Sequence, residues 1–167
     1  MGTVLRRRFT ELAEFDLNKL STGDKVIGVS GIVLIIFSFF QWLGVKVELK
    51  GIVAAEASKS GWGFTLTLIA ILIGIAMTAI VVLKVMDVKL PDLGGVTWGQ
   101  VLLVAGVVAF VFVLIKLIAG PNVGDTSGLA SSAVSKTRKI GIFAGTIASA
   151  GLAYGGFLKF KEEKSAA

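Results

Sequence analysis

The sequence predicts an all-α membrane protein of four transmembrane helices, both termini cytoplasmic, led by an N-terminal amphipathic interfacial helix. Three observations carry that expectation: an excess of apolar residues, four apolar runs of membrane-spanning length, and the distribution of Lys and Arg between them. Of the 167 residues, 54% are hydrophobic and 17% charged, against roughly 45–50% and about 25% in ordinary soluble domains. One water-soluble core could not hide so much apolar surface. The length leaves no room for a second folded domain once four spans of about 20 residues are subtracted.

Residues 1–25 form the first unit. Leu5, Phe9, Leu12 and Leu20 recur near helical spacing with Glu11, Glu14 and Asp16 between them, which reads as a short helix on a membrane surface with Arg6, Arg7 and Arg8 at anionic headgroups. The competing reading is a solvated tail. A cleaved signal peptide is disfavoured, because the polar stretch from Thr10 to Lys25 separates the basic start from an apolar run that is too long for one. Ser21 to Asp24 carry the hydroxyl and carboxylate chemistry of a helix N-terminus.

Residues 26–160 form the membrane domain. The spans are expected at Val26 to Val45, Phe64 to Leu83, Gly99 to Ile118 and Ile140 to Leu158, each about 20 residues at 1.5 Å per residue for a hydrocarbon core of about 30 Å. Lipid offers no partner for backbone N–H and C=O groups, so each span must be helical. Residues 161–167 are a short charged tail.

Orientation follows from the basic residues. Arg6, Arg7, Arg8, Lys19, Lys25, Lys84, Lys89, Lys159, Lys161 and Lys164 flank one side, ten in all; Lys46, Lys50, Lys59, Lys136, Arg138 and Lys139, six, flank the other. The ten-residue side is expected to be cytoplasmic, which puts both termini inside. Trp42 and Trp62 at the outer boundary, and Trp98 and Tyr154 at the inner one, are expected as interface anchors.

In the first outer connection, Val45, Val47 and Leu49 alternate with Lys46, Glu48 and Lys50, the period of a short strand or ribbon. The inner connection from Asp87 to Thr97 holds Pro91, Gly94 and Gly95 and should turn tightly. The second outer connection, Gly120 to Lys136, is rich in Gly, Ser and Ala, so it is expected to be either flexible or ordered only by a neighbour.

Little in the chain carries chemistry. Cysteine and histidine are absent, which removes the usual ligands of zinc, copper, iron–sulfur and haem sites, and no cofactor is expected. No phosphate-cradling loop, nucleophile elbow or metal signature is present, so no enzymatic activity and no catalytic residue is expected. The formal charge of +6 lies beside apolar runs rather than along a basic helix, which argues for membrane lipids, anionic ones in particular, and against nucleic acid. Lys116 is the one ionisable residue inside a span. It reads either as a headgroup contact or, more ordinarily, as a snorkelling side chain. The spans contain no Asp or Glu, which lowers the case for ion-coupled transport.

The fourth helix is distinctive for Gly141 and Gly145, then Gly151 and Gly155, two GxxxG pairs of the kind that let helices approach closely. They point to packing within the bundle, or against another chain. Thr146 and Ser149 on the same helix are candidates to line a pore, although hydroxyls also bond to their own helix.

FDLNKLSTGDK before the first span, FFQWLG at its end and SGWGF entering the second resemble a loose group of small, uncharacterised four-span membrane proteins of actinobacteria, over residues 15–64. The resemblance implies a bacterial cytoplasmic membrane and supplies neither an activity nor site residues. The expected function is an accessory or structural membrane subunit that assembles through its helices, with itself or in a larger complex. The alternative is a small oligomeric channel or facilitator with Thr146 and Ser149 at its axis. A third reading is an envelope factor that binds lipid through its basic N-terminus.

Overall fold

A computed structural model describes residues 20–49, 52–121 and 134–166. It is mostly helical: α1 (Thr22–Ser38), α2 (Thr65–Val85), α3 (Trp98–Ala119) and α4 (Ile140–Ala166), with a small sheet of β1 (Gln41–Leu49), β2 (Ile52–Ser60) and β3 (Val134–Arg138). The basic N-terminal segment with Arg6, Arg7 and Arg8, and residues 122–133 of the second long connection, lie outside the described residues.

Among the described residues three helices, α2, α3 and α4, are long and apolar enough to cross a membrane. The first helix departs from expectation. Its helical part is 17 residues and ends at Ser38 instead of running to Val45. The last turn tightens as the N–H groups of Phe39 and Phe40 bond to the carbonyls of Ile36 and Phe37, and the Ser38 hydroxyl donates to the Ile35 carbonyl. The chain then extends, so that Gln41 to Val45 become the start of β1.

Local chemistry sets the other helix ends. Ser21 caps α1 by accepting the Asp24 N–H, as the STGD reading anticipated. Thr97 and Gln100 form a reciprocal capping box at the start of α3, which satisfies two of the donors that a helix start leaves open. Thr97→Ala is expected to cost about 1 kcal/mol, the usual value of an N-cap hydroxyl; thermal unfolding in detergent would measure it. Gly120 ends α3 with φ +73°, a conformation that suits glycine. The charged residues after Phe160, expected as a tail, continue α4 to Ala166.

The helices run up and down in an antiparallel ring in which α4 packs closely against both α1 and α3, and α2 closes the ring on the other side. Ile27, Leu34, Ala70, Met77, Leu102, Ala109 and Leu152 fill the centre. The α3–α4 seam is held tight by glycine: a Cβ on Gly106 would stand 2.7 Å from the Leu152 carbonyl oxygen, and one on Gly156 2.6 Å from that of Leu102. Large apolar side chains also cover the outside: Val29, Ile32 and Ile36 on α1, Ile69 and Leu72 on α2, Val104, Val111 and Ile118 on α3, and Phe143 and Ile147 on α4. A helix apolar on every side requires an apolar surrounding on every side.

The sheet caps one end of this ring in the order β2-β1-β3, antiparallel throughout. The alternation at Val45 to Leu49 was a correct sign of β1, and β2 returns beside it. Residues Val134–Arg138, which overlap the end of the second connection, pair with the opposite edge of β1.

Candidate functional site

Polar and charged residues gather at the two ends of the bundle. At the end away from the sheet, Asp24 is 2% exposed and lies between two cations: Lys84 Nζ from the end of α2 at 3.0 Å and Lys159 Nζ from α4 at 2.9 Å. The Ser21 hydroxyl donates to the same carboxylate, and Lys159 reaches Ser21 Oγ as well. Burial pushes the Asp24 carboxyl up, but the hydrogen bonds and charges of Lys159 and Lys84 outweigh it and hold the group below its ordinary value. Asp24 precedes the apolar run that begins at Val26.

Two adjacent glutamates on α4 extend the same closure. Glu162 accepts the Gly23 N–H at 3.1 Å, and Glu163 accepts the Gly99 N–H at 2.7 Å. One α4 turn thus presents a carboxylate to the N-terminal ends of both flanking helices, where open N–H groups and the helix dipole favour negative charge. All four helices are tied together within this cluster. Beside it, an open groove of about 540 Å³ runs along the α2–α3 connection, lined by Leu90, Pro91, Leu93, Val96, Trp98 and Glu163 among others.

At the sheet end, the central feature is Trp42, fully buried in β1. Its indole occupies a slot floored by glycine: a Cβ on Gly141 or Gly145 would stand 2.5 Å from the ring, and one on Gly61 2.9 Å. The indole N–H donates at 2.8 Å to the Phe37 carbonyl, which also accepts the Phe40 N–H at the end of α1. Trp42 is therefore a core residue and not the interface anchor expected. With α1 ended at Ser38, the chain lays the ring against the start of α4 instead of outward. Trp62 is partly exposed and donates to Ser38 Oγ at 3.0 Å; half-buried Trp98 donates to the Pro91 carbonyl; Tyr154 is exposed.

The paired glycines of α4 all face elements of the same chain. Gly141 and Gly145 receive Trp42, Gly151 faces Ser30 of α1, and Gly155 faces Ile27 and Gly23. No family model matches this chain, nor does any curated protein. Thr146 and Ser149 donate to the Ile142 and Thr146 carbonyls of their own helix, at 2.7 and 3.0 Å, and Ser149 is fully buried. Thr78 likewise donates to Gly74, and Thr67 to Gly61 and Phe64.

Lys116 is 5% exposed, with its ammonium 4.5 Å from the centre of the Phe64 ring, a cation–π distance. The charges at the sheet end sort by sheet face. Lys139 and Lys46 hold Glu56 at 2.7 and 3.7 Å, and the Lys139 hydrogen bond leads the effects that keep that exposed carboxyl below its ordinary value. Arg138 instead turns to α3, where Nε donates to the Leu117 carbonyl at 2.9 Å and Nη2 to that of Ile118 at 3.2 Å. Sequence reasoning counted Lys84, Lys159 and Arg138 as flanking charge, placed Glu162 and Glu163 in a charged tail, and read Asp24 only as part of a helix start. Their partners are up to 139 residues away in the chain, and no local pattern marks such pairs.

Proposed function

We propose that the chain is a four-span protein of a bacterial cytoplasmic membrane, N-in and C-in, that serves as an accessory or structural subunit and assembles with itself or in a larger membrane complex. The observation that carries this reading is where the bundle's polar groups go: the hydroxyls of Ser38, Thr67, Thr78, Thr146 and Ser149 bond to carbonyls of their own helix or the adjoining turn, and the Asp24 cluster ties helix ends together. Each such contact holds the bundle in shape.

Two features support α1 as the fourth span although its helix measures only about 25 Å at 1.5 Å per residue. Val29, Ile32 and Ile36 face outward at 65, 53 and 53% exposure, one stripe continued past the helix end by exposed Phe39 and Phe40. Its polar end, at Asp24, stands level with the polar ends of α2 and α4. The excess of basic residues at that end supports a cytoplasmic position for it.

Because the α4 glycines are already covered from within, association falls to the outward faces. The test is purification of a C-terminally tagged chain in mild detergent, with native mass and the accompanying polypeptides recorded. Other subunits at fixed stoichiometry, or a homo-oligomer weakened by Ile147→Trp on the outward face of α4, are the expected results. A bare monomer from native membranes would sink the reading. Gly151→Leu is expected to disturb the monomer's own fold, seen as loss of thermal stability before any change in assembly.

A further inference from the structure

The corner where β3 meets the end of α3 joins a cationic head to an apolar track. Arg138 is exposed, and its guanidinium is fixed by its two bonds to the Leu117 and Ile118 carbonyls. Ile118 is the first residue of an exposed stripe that runs down α3 through Ile115, Val111, Val107 and Val104, a spacing of three and four residues that keeps one helix face. The guanidinium is thus held at the head of a continuous apolar strip. Exposed Lys136 lies two residues earlier in β3, on the same sheet face, and its stem passes over Gly120, with Cδ 3.7 Å from where a Cβ would stand. Lys116 adds a third positive charge one turn inside α3. Glu56 of the sheet belongs to the opposite face: Lys136 is paired with Val45, whereas Glu56 is paired with the next residue, Lys46.

We propose that this corner is a seat for one anionic phospholipid, its phosphate held by Arg138 and Lys136 and one acyl chain laid along the Ile118 to Val104 stripe of α3. The charge is of the right sign and height for a headgroup, and arginine offers a planar donor set suited to phosphate. The apolar strip below separates a lipid from a soluble phosphate, which would use the head alone. The inference rests on α3 spanning a membrane but not on any protein partner, so a failure here leaves the subunit reading intact.

The experiment is native mass spectrometry of the purified full chain, titrated with phosphatidylglycerol or phosphatidylcholine in detergent, with inorganic phosphate and glycerol phosphate as competitors. Phosphatidylglycerol should be retained at one per chain in preference to phosphatidylcholine, and the soluble phosphates should not displace it. Lys136→Gln and Arg138→Gln should each weaken retention roughly fivefold, the worth of one basic residue at an anionic surface. Since Arg138 also supports the end of α3, Lys136→Gln is the cleaner variant, and Lys161→Gln at the far end should change nothing. Equal retention of both lipids, retention indifferent to Lys136→Gln, or displacement by inorganic phosphate would each overturn the proposal.

Discussion

Trp42→Ala is expected to destabilise the protein by about 3–5 kcal/mol, the range for emptying a large aromatic site in a close-packed core. The indole is completely buried, and three glycines from two separate elements leave room for it alone. Its loss also removes the shorter of the two hydrogen bonds to the Phe37 carbonyl, 2.8 Å from the indole, and leaves only the 3.2 Å bond from the Phe40 N–H at the end of α1. Because β1 is the middle strand, with β2 and β3 hydrogen-bonded to its two edges, the damage should spread to the whole sheet. Thermal unfolding in detergent should show the loss, and limited proteolysis should cut β2 earlier in the variant. Gly145→Leu fills the same slot from the other side and should cost a similar amount. Trp42→Phe should fall between, since it keeps an aromatic ring without the N–H. A Trp42→Ala variant that unfolds at the wild-type temperature would show that the sheet is not anchored there. Acrylamide should quench Trp62 and Trp98 while sparing Trp42.

The buried position of Trp42 also marks how far the chain could be read without coordinates. The apolar runs of α2, α3 and α4 were legible because length and hydropathy alone distinguish them, and the STGD cap was legible because its partners are three residues apart. The end of α1 was not. FSFFQWLGV is as apolar as the helix before it, and a hydropathy window cannot tell a continuing helix from a strand that turns its tryptophan inward. The first GxxxG pair, Gly141 and Gly145, reads in the sequence as a helix-packing surface, whereas its occupant is one side chain from β1. The T-x-x-Q of Thr97 and Gln100 is a capping signature with partners only three residues apart, and it is formed at the start of α3. The ion pairs at the far end lie beyond any such reading. Asp24 meets Lys84 across 60 residues and Lys159 across 135, and a count of flanking charges treats all three as independent.

That cluster supplies the second large effect. Asp24→Asn keeps the size of the side chain but removes the one charge between Lys84 and Lys159, whose side chains are only 20% and 14% exposed. Removing one partner of a buried ion pair typically costs about 3–5 kcal/mol, because the charges left behind have lost water and partner together. Here the residual exposure of both lysines favours the lower end, about 3 kcal/mol. Combining Asp24→Asn with Lys159→Met should recover part of the loss, since it removes one of the stranded charges, and a double-mutant cycle would isolate that coupling. The pH dependence has a definite sign. The Asp24 carboxyl is held below its ordinary value of 3.8, so the folded state binds its proton less readily than the unfolded chain does. Its contribution is therefore complete above that value and is lost as the pH falls through the folded-state value. Wild-type protein should lose stability on acidification below about pH 4, and that part of the loss should be missing in Asp24→Asn. Parallel acid profiles for the two proteins would mean that Asp24 does not hold the helix ends, and the closure would then rest on Glu162 and Glu163 at the starts of α1 and α3.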